Sequence, residues 1–350
     1  IDMHEEFIAK NWATGYDVPA VRDGRIIKTT ITHHIPRGMQ GFLLNTRLPK
    51  FADRRVREAI GLTLDFEWMN QALFYGAYQR GQSFFNQTEF AARGLPSAAE
   101  KALVAPWRGM RDTSMPDAPL MVPEAFDAKA CSVPATDGSG YPRASLIRAQ
   151  ALLNEAGWVM KKGVRVHAVT GTPLTVEFLV SQRTFERVVA IMRQSLERLG
   201  ITVTFRYVDA SQYQRRVDRK EFEIISVWWN QGLFYPGVEQ RLYWHSSQAD
   251  AVGGQNLAGV KHPAVDRLVE AVEQASSLPR LVEAGRALDR LLCAEHYIIP
   301  HWNLNAWRVV YWNYLGRPRI TPDYQLGVEE TWWVKDPATE GTAPPTQEAL

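Results

Sequence analysis

The chain has 350 residues, enough for two or three packed units. Hydrophobic residues make up 45% and charged residues 22%, an ordinary globular profile, and a formal net charge of +2 is too small to argue for nucleic acid or an anionic membrane surface as partner. Twelve Trp, twelve Tyr and fourteen Phe point weakly to binding, because aromatic side chains wall permissive ligand sites but also pack cores.

Residues 1–40 read as short helix and strand pieces with no core of their own. The apolar run Gly41–Thr46 is a strand. A Pro49 loop leads to Asp53, placed to cap a helix that puts Val56, Ile60 and Leu64 on one face. Asp65 caps a second helix, with Trp68, Ala72 and Leu73 inward and Gly76 at its end. Residues 86–142 are rich in Pro, Gly and small residues, and a long irregular stretch of this kind covers or binds something. A helix over about Arg143–Ala156 stops at Gly157.

The clearest block follows. Leu174–Val180 is a strand, and Thr184 caps a helix with Val188, Val189, Met192, Leu196 and Leu199 inward, ended by Gly200. Ile201–Tyr207 is a second strand, a short helix lies around Ser211–Arg219, and Phe222–Trp228 is a third strand. This β-α-β-α-β series predicts parallel strands joined by right-handed crossovers. Helices over about Pro263–Gln274 and Pro279–Leu292 come next, then strands near Ile298–Trp302 and Arg308–Trp312, then a Pro-rich tail after Asp336.

No catalytic constellation emerges. His4-Glu5-Glu6-Phe7-Ile8 begins like HExxH, but Ile8 stands where the second zinc ligand belongs. His33 and His34 are adjacent and would face opposite sides of a strand. There is no GxSxG elbow, P-loop or GxGxxG. Arg54, Arg55 and Arg57 sit beside Asp53 and Glu58 on an amphipathic helix, as a solvated face does. Cys131 and Cys293 fit neither a zinc nor a CxxC pattern, and their spacing is compatible with one disulfide or two unpaired thiols. No apolar run of about 18 residues spans a membrane. The opening Ile1-Asp2-Met3 reads as the inside of a domain, so the lack of a leader carries no information about compartment. Binding gives the better signal. In open parallel sheets ligands sit beyond the carboxyl ends of the strands, and the third strand ends in Trp228-Trp229-Asn230-Gln231-Gly232-Leu233-Phe234-Tyr235-Pro236-Gly237, which offers apolar walls, amides and close backbone approach. A buried aromatic corner is the competing reading.

Longer motifs carry a resemblance. Gly41–Thr46, then Phe51–Ile60 and Leu64-Asp65, resemble the lobe-crossover signature of family 5 solute-binding proteins, the dipeptide-, oligopeptide- and nickel-binding components of ABC importers. Asn256–Val260 with His262–Leu268 resembles a later family pattern, and Ile298–Trp302 resembles the return toward the first lobe. Trp12–Asp17, Pro36–Gly41, Phe90–Gly94 and Pro236–Arg241 are similar to the YejA-type oligopeptide-binding branch, and the resemblance runs from about residue 10 to 335.

The resemblance implies an α/β, type II periplasmic binding protein-like lobe with a parallel-sheet core, plus a remnant of the other lobe. Residues 1–44 would be that remnant, 45–300 the ligand-binding second lobe, and 301–350 the return segment and tail. It implies a non-enzymatic, periplasmic, monomeric full-length protein that captures peptides for ABC permease subunits, with no metal, cofactor or nucleic acid. A periplasmic peptide hydrolase or a ligand-sensing or chaperone protein on the same scaffold is the alternative. Ligand contacts are expected from Trp228, Trp229, Asn230, Gln231 and Tyr235, with Gln82, Ser83 and Phe84 lining the same cleft, and a hinge from Arg37, Met39, Gln40 and Asn45. Two departures stand out. The crossover falls at residue 41 rather than near mid-chain, which would leave several of Trp302, Trp307, Trp312, Trp332 and Trp333 exposed together. Relatives that hold a peptide amino terminus place an Asp after the third strand, where this chain has Trp229, Asn230 and Gln231.

Overall fold

A computed structural model describes residues 1–111, 118–129, 135–182, 185–229 and 235–336. They fall into two compact units. One comprises Ile1–Ile35, Leu73–Ala77 and the segment from Leu304 onward, and the other comprises Pro36–Ala72 and Tyr78–Asn303.

The larger unit is built on a five-stranded sheet in the order Ile298–Pro300, Gln40–Leu44, Ile224–Trp228, Thr175–Val180, Thr202–Tyr207. The last three strands are parallel, in register Thr175 with Thr202 through Val180 with Tyr207, and Phe178 with Ile224. They are the three strands expected from the sequence. Their connecting helices are Glu186–Arg198 and Ala210–Asp218. Gly200 takes φ +78, the left-handed conformation that ends the first of these helices. The cap expected from Thr184 lies outside the described residues.

The sheet is mixed rather than purely parallel. Gln40–Leu44 pairs antiparallel with Ile224–Trp228 and with Ile298–Pro300. The run of buried Gly41, Phe42, Leu43 and Leu44 explains its place: apolar on both faces, it belongs inside a covered sheet. Beside it, Asp53 caps the helix Arg54–Gly61, accepting from the Arg55 amide, and Asp65 accepts from the Trp68 amide at 3.1 Å to start Phe66–Phe74. The helices Pro263–Glu273 and Leu278–Ala294 pack on each other and close the core with Val265, Leu268, Val269, Leu288, Leu291 and Leu292.

The stretch expected to be irregular, 86–142, contains a helix, Ala98–Val104, opened by a reciprocal capping box between Ser97 and Glu100. A hairpin, Trp158–Lys161 with Val164–His167, turns through Lys162 and Gly163, both at positive φ.

In the smaller unit, Ala306–Trp312 lies between Met3–Glu5 and Ile26–Thr32, antiparallel to both. Ile31, Trp307, Val309 and Tyr311 form its core, with Met3, Ile27, Leu326 and Trp332 packed against them. The expected joint exposure of several of the late tryptophans is not found, since only one of the five is exposed. Trp307 is 6% exposed, Trp302, Trp312 and Trp332 are half-buried, and Trp333 is exposed at 51%. Pairing with Ile26–Thr32 and packing on Tyr311 cover the others in the smaller unit, and Trp302 stacks on His301 in the larger one.

Candidate functional site

At one end of the five-stranded sheet the chain brings together four segments of the larger unit. Gln40 opens its strand opposite Trp228, the last residue of its neighbour. The Trp229 amide donates to the Met39 carbonyl at 2.9 Å, the His301 amide donates to the Gln40 carbonyl at 2.8 Å, and the Gly81 amide donates to the His301 carbonyl at 2.9 Å. Arg80 pairs with Trp302 in a short two-stranded sheet. These main-chain bonds place Gln40, Trp228, Gly81 and His301 at one sheet end, where open α/β sheets hold ligands.

Alternation along an extended backbone splits the two tryptophans. Trp228 is 57% exposed. Trp229 turns the other way into the core, 5.8 Å from Phe84 and 4.7 Å from Trp244 between ring centroids. Trp229 is therefore a packing residue, and Trp228 is the exposed indole of the pair. Tyr235 is exposed, with its ring edge against Phe90. Asn230 and Gln231 lie outside the described residues.

The segment 82–84 divides likewise. Gln82 is exposed, whereas Ser83 and Phe84 are buried. The Asp289 carboxylate, fully buried on the helix Leu278–Ala294, accepts from the Ser83 hydroxyl (2.8 Å), the Phe84 amide (2.7 Å) and the Ala92 amide (2.8 Å). Burial outweighs these donors and pushes Asp289 up to about 6. The sequence signal missed here was an acid on the inward face of an otherwise apolar helix, flanked by Leu288, Leu291 and Leu292.

Of the four residues expected at a hinge, Met39 and Gln40 sit at this sheet end, and the Arg37 amide donates to the Asn86 carbonyl at 2.9 Å. Asn45 is at the other end of the Gln40–Leu44 strand, where its amide donates to the Lys220 and Phe222 carbonyls. It fixes a loop there and is not part of the group around Gln40.

His301, also missed, is buried among Phe42, Phe185 and Trp302, and among the described residues neither ring nitrogen has a hydrogen-bond partner. Burial and the nearby Arg80 depress it to about 3, so the ring is neutral. Next to the sheet end lies a cavity of about 440 Å³, lined by Met39, Gln82 and Phe84 together with Arg80, Glu58 and His296. Cys293, on its wall, is disulfide-bonded, while Cys131 lies outside the described residues. Among the described residues no cluster of His, Cys, Asp or Glu could hold a metal ion, and no helix is long and apolar enough to cross a membrane.

This architecture is that of the type II periplasmic binding proteins. The oligopeptide-binding protein AppA of Bacillus subtilis, solved with a nonapeptide, superposes with a TM-score of 0.64 at 16% identity, over 96% of this chain and 56% of that one. Residues 1–251 match the family described as bacterial extracellular solute-binding proteins, family 5 Middle, and the chain belongs to that family. An uncharacterized protein, YejA, of Escherichia coli (strain K12) is 37% identical over 333 residues, covering 95% of this chain and 53% of that protein. A probable peptide-binding protein YejA of Agrobacterium fabrum (strain C58 / ATCC 33970) is 37% identical over 336 residues, with 95% and 53% covered. The chain thus spans about half the length of these curated relatives.

Proposed function

We infer that this chain is the larger part of the extracytoplasmic substrate-binding component of an ABC importer, which captures oligopeptides or peptide-like compounds and delivers them to a membrane permease. The observation that carries this reading is the sheet end where exposed Trp228 stands opposite Gln40 and near Gln82, in a member of the family 5 binding proteins. An indole face with neighbouring amides suits a ligand whose backbone is constant and whose side chains vary. The relative named as a probable peptide-binding protein and the nonapeptide held by the solved neighbour support the same ligand class. Capture and release break no bond, so the proposed role is non-enzymatic, and membership of the extracellular solute-binding family supports an extracytoplasmic place for it.

The test is native mass spectrometry of the gently purified full-length protein, followed by calorimetric titration with the peptides it releases. A co-purifying peptide that rebinds with micromolar or tighter affinity, a net of about 8 kcal/mol, is the expected result. Hydrolysis of that peptide by the pure protein, or no affinity for any peptide, would overturn the reading.

A further inference from the structure

One face of the five-stranded sheet carries a row of aromatic rings. Phe42 meets Phe178 with ring centroids 5.2 Å apart, Phe178 stacks on Phe205 at 6.0 Å, and Phe205 stacks on Tyr207 at 6.0 Å. The register shows why these rings share a face. Phe178 pairs with Phe205, and Phe42 pairs with Ser226, whose small side chain leaves room for Phe42 and Phe178 to meet across it. Trp228 lies two residues beyond Ser226, so alternation along the strand puts it on this same face.

Two of these rings reach solvent: Tyr207 is 45% exposed and Trp228 57%. Each is the last residue of its strand, Thr202–Tyr207 and Ile224–Trp228, at the carboxyl end where open α/β sheets hold ligands. Thr175–Val180 runs between them, and its last residue, half-buried Val180, is the register partner of Tyr207. Thr202–Tyr207 is also an edge of the sheet, where a half-exposed ring adds little to the core. Packing therefore does not account for an aromatic residue at position 207.

The spacing of the two rings follows from the sheet. Two strand separations come to about 10 Å and two residues of rise to about 7 Å, which puts the Cα atoms of Tyr207 and Trp228 about 12 Å apart. An extended peptide turns a side chain to one side every second residue, so its residues n and n+4 stand about 13 Å apart. A peptide lying across the strand ends can thus set one side chain on each ring, with Val180 beneath the residues between them. We propose that Tyr207 and Trp228 are paired side-chain subsites that select extended peptides with apolar side chains four positions apart. The ligand's identity rests on the peptide-capture reading, whereas the pairing of the rings follows from the register alone. Fixed positions for alternate side chains are how extended peptides are told apart when their main chains are alike.

The experiment uses the full-length protein, wild type, Trp228→Ala, Tyr207→Ala and Tyr207→Phe, each checked by circular dichroism. Calorimetry compares a pentapeptide with phenylalanine at both ends and Ser-Gly-Ser between them with forms carrying serine at the first or the last position. A further form holds its two phenylalanines only two positions apart. Each loss of a terminal phenylalanine should weaken wild-type binding roughly tenfold, and the closer spacing should cost as much as losing one ring. Tyr207→Ala should bind the parent peptide roughly tenfold more weakly and become indifferent to one end, and Trp228→Ala to the other. Tyr207→Phe, which keeps the ring, should restore the discrimination that Tyr207→Ala loses. Wild-type affinity and wild-type discrimination at both ends in Tyr207→Ala would overturn the paired subsites and leave peptide capture standing, as would equal affinity for the two spacings. Saturation-transfer NMR with N-acetylphenylalaninamide separates the two readings. No peptide binding, together with transfer to this probe that falls in both alanine variants, would reject peptide capture and keep the ring pair. Neither signal would reject both. Should Tyr207→Ala not fold, the spacing series and Trp228→Ala decide, and loss of discrimination at both ends in Trp228→Ala overturns the proposal.

Discussion

Replacing Asp289 by Ala tests the tie between the segment 83–92 and the helix Leu278–Ala294. The carboxylate is the acceptor for three donors at 2.7–2.8 Å. The Ser83 hydroxyl can turn to another acceptor, but the Phe84 and Ala92 amides are fixed by the backbone. Each buried amide left unpaired costs about 1–3 kcal/mol, so the variant should lose about 2–6 kcal/mol at neutral pH. The pH dependence is more discriminating. Burial raises Asp289 from 3.8 to about 6, so the folded protein binds the proton more tightly than the unfolded chain. Wild-type stability from this group is therefore greatest below pH 4 and falls as pH rises through 6, by about 3 kcal/mol for a shift of this size. Asp289→Ala lacks that decline, so the cost of the mutation should grow as pH is lowered from 7 to 4. Trp229 and Trp244 pack around Phe84, so tryptophan fluorescence in a urea titration at several pH values reports this core. A cost that shrinks toward acid would mean the three donors outweigh burial, and a cost below about 1 kcal/mol at every pH would refute the tie altogether.

Trp228→Ala and Trp229→Ala should part company. The first should leave the urea midpoint nearly unchanged and weaken peptide binding by roughly 1–3 kcal/mol, whereas the second should cost about 3–5 kcal/mol of stability, as read by denaturation and calorimetry on the same samples. His301→Phe removes two unpartnered nitrogens from an aromatic nest and should raise stability by about 1–2 kcal/mol at pH 7. Because His301 is held near 3, below its ordinary 6.5, wild type should also lose stability to the variant as pH falls below 6.5, and a difference independent of pH in paired melts would reject this. Thiol titration of the denatured protein should find no free thiol until a reductant is added, and one reactive thiol at Cys293 without reductant would contradict its bonded state.

The parallel strands and their helices were legible because their signals are local: a run of β-branched residues, a 3.6-residue apolar period, and a glycine at φ +78 after Arg198-Leu199. The antiparallel addition of Gln40–Leu44 to that sheet was not, because its partner Ile224–Trp228 lies about 180 residues away and nothing in either strand encodes the direction of pairing. The same limit applies to the site. The aromatic run at 228–235 could be placed beyond a strand end, but which indole faces a ligand depends on where the strand stops. The structure ends the strand at Trp228, leaving that ring out and putting Trp229 in the core. Arg80 and Asp289 were invisible for a further reason. A charged residue in sequence reads as solvated, and only the fold reveals that one is enclosed. Asp289 gathers its donors from residues some 200 positions earlier, whereas the acids near Arg80 are already committed to Thr136 and Gly140. Both are buried charges that tertiary structure treats in opposite ways. Asp289 is saturated with donors and ties the segment 83–92 to the helix Leu278–Ala294, whereas Arg80 is offset by the charges of Glu67 and Asp65 without a hydrogen bond to either.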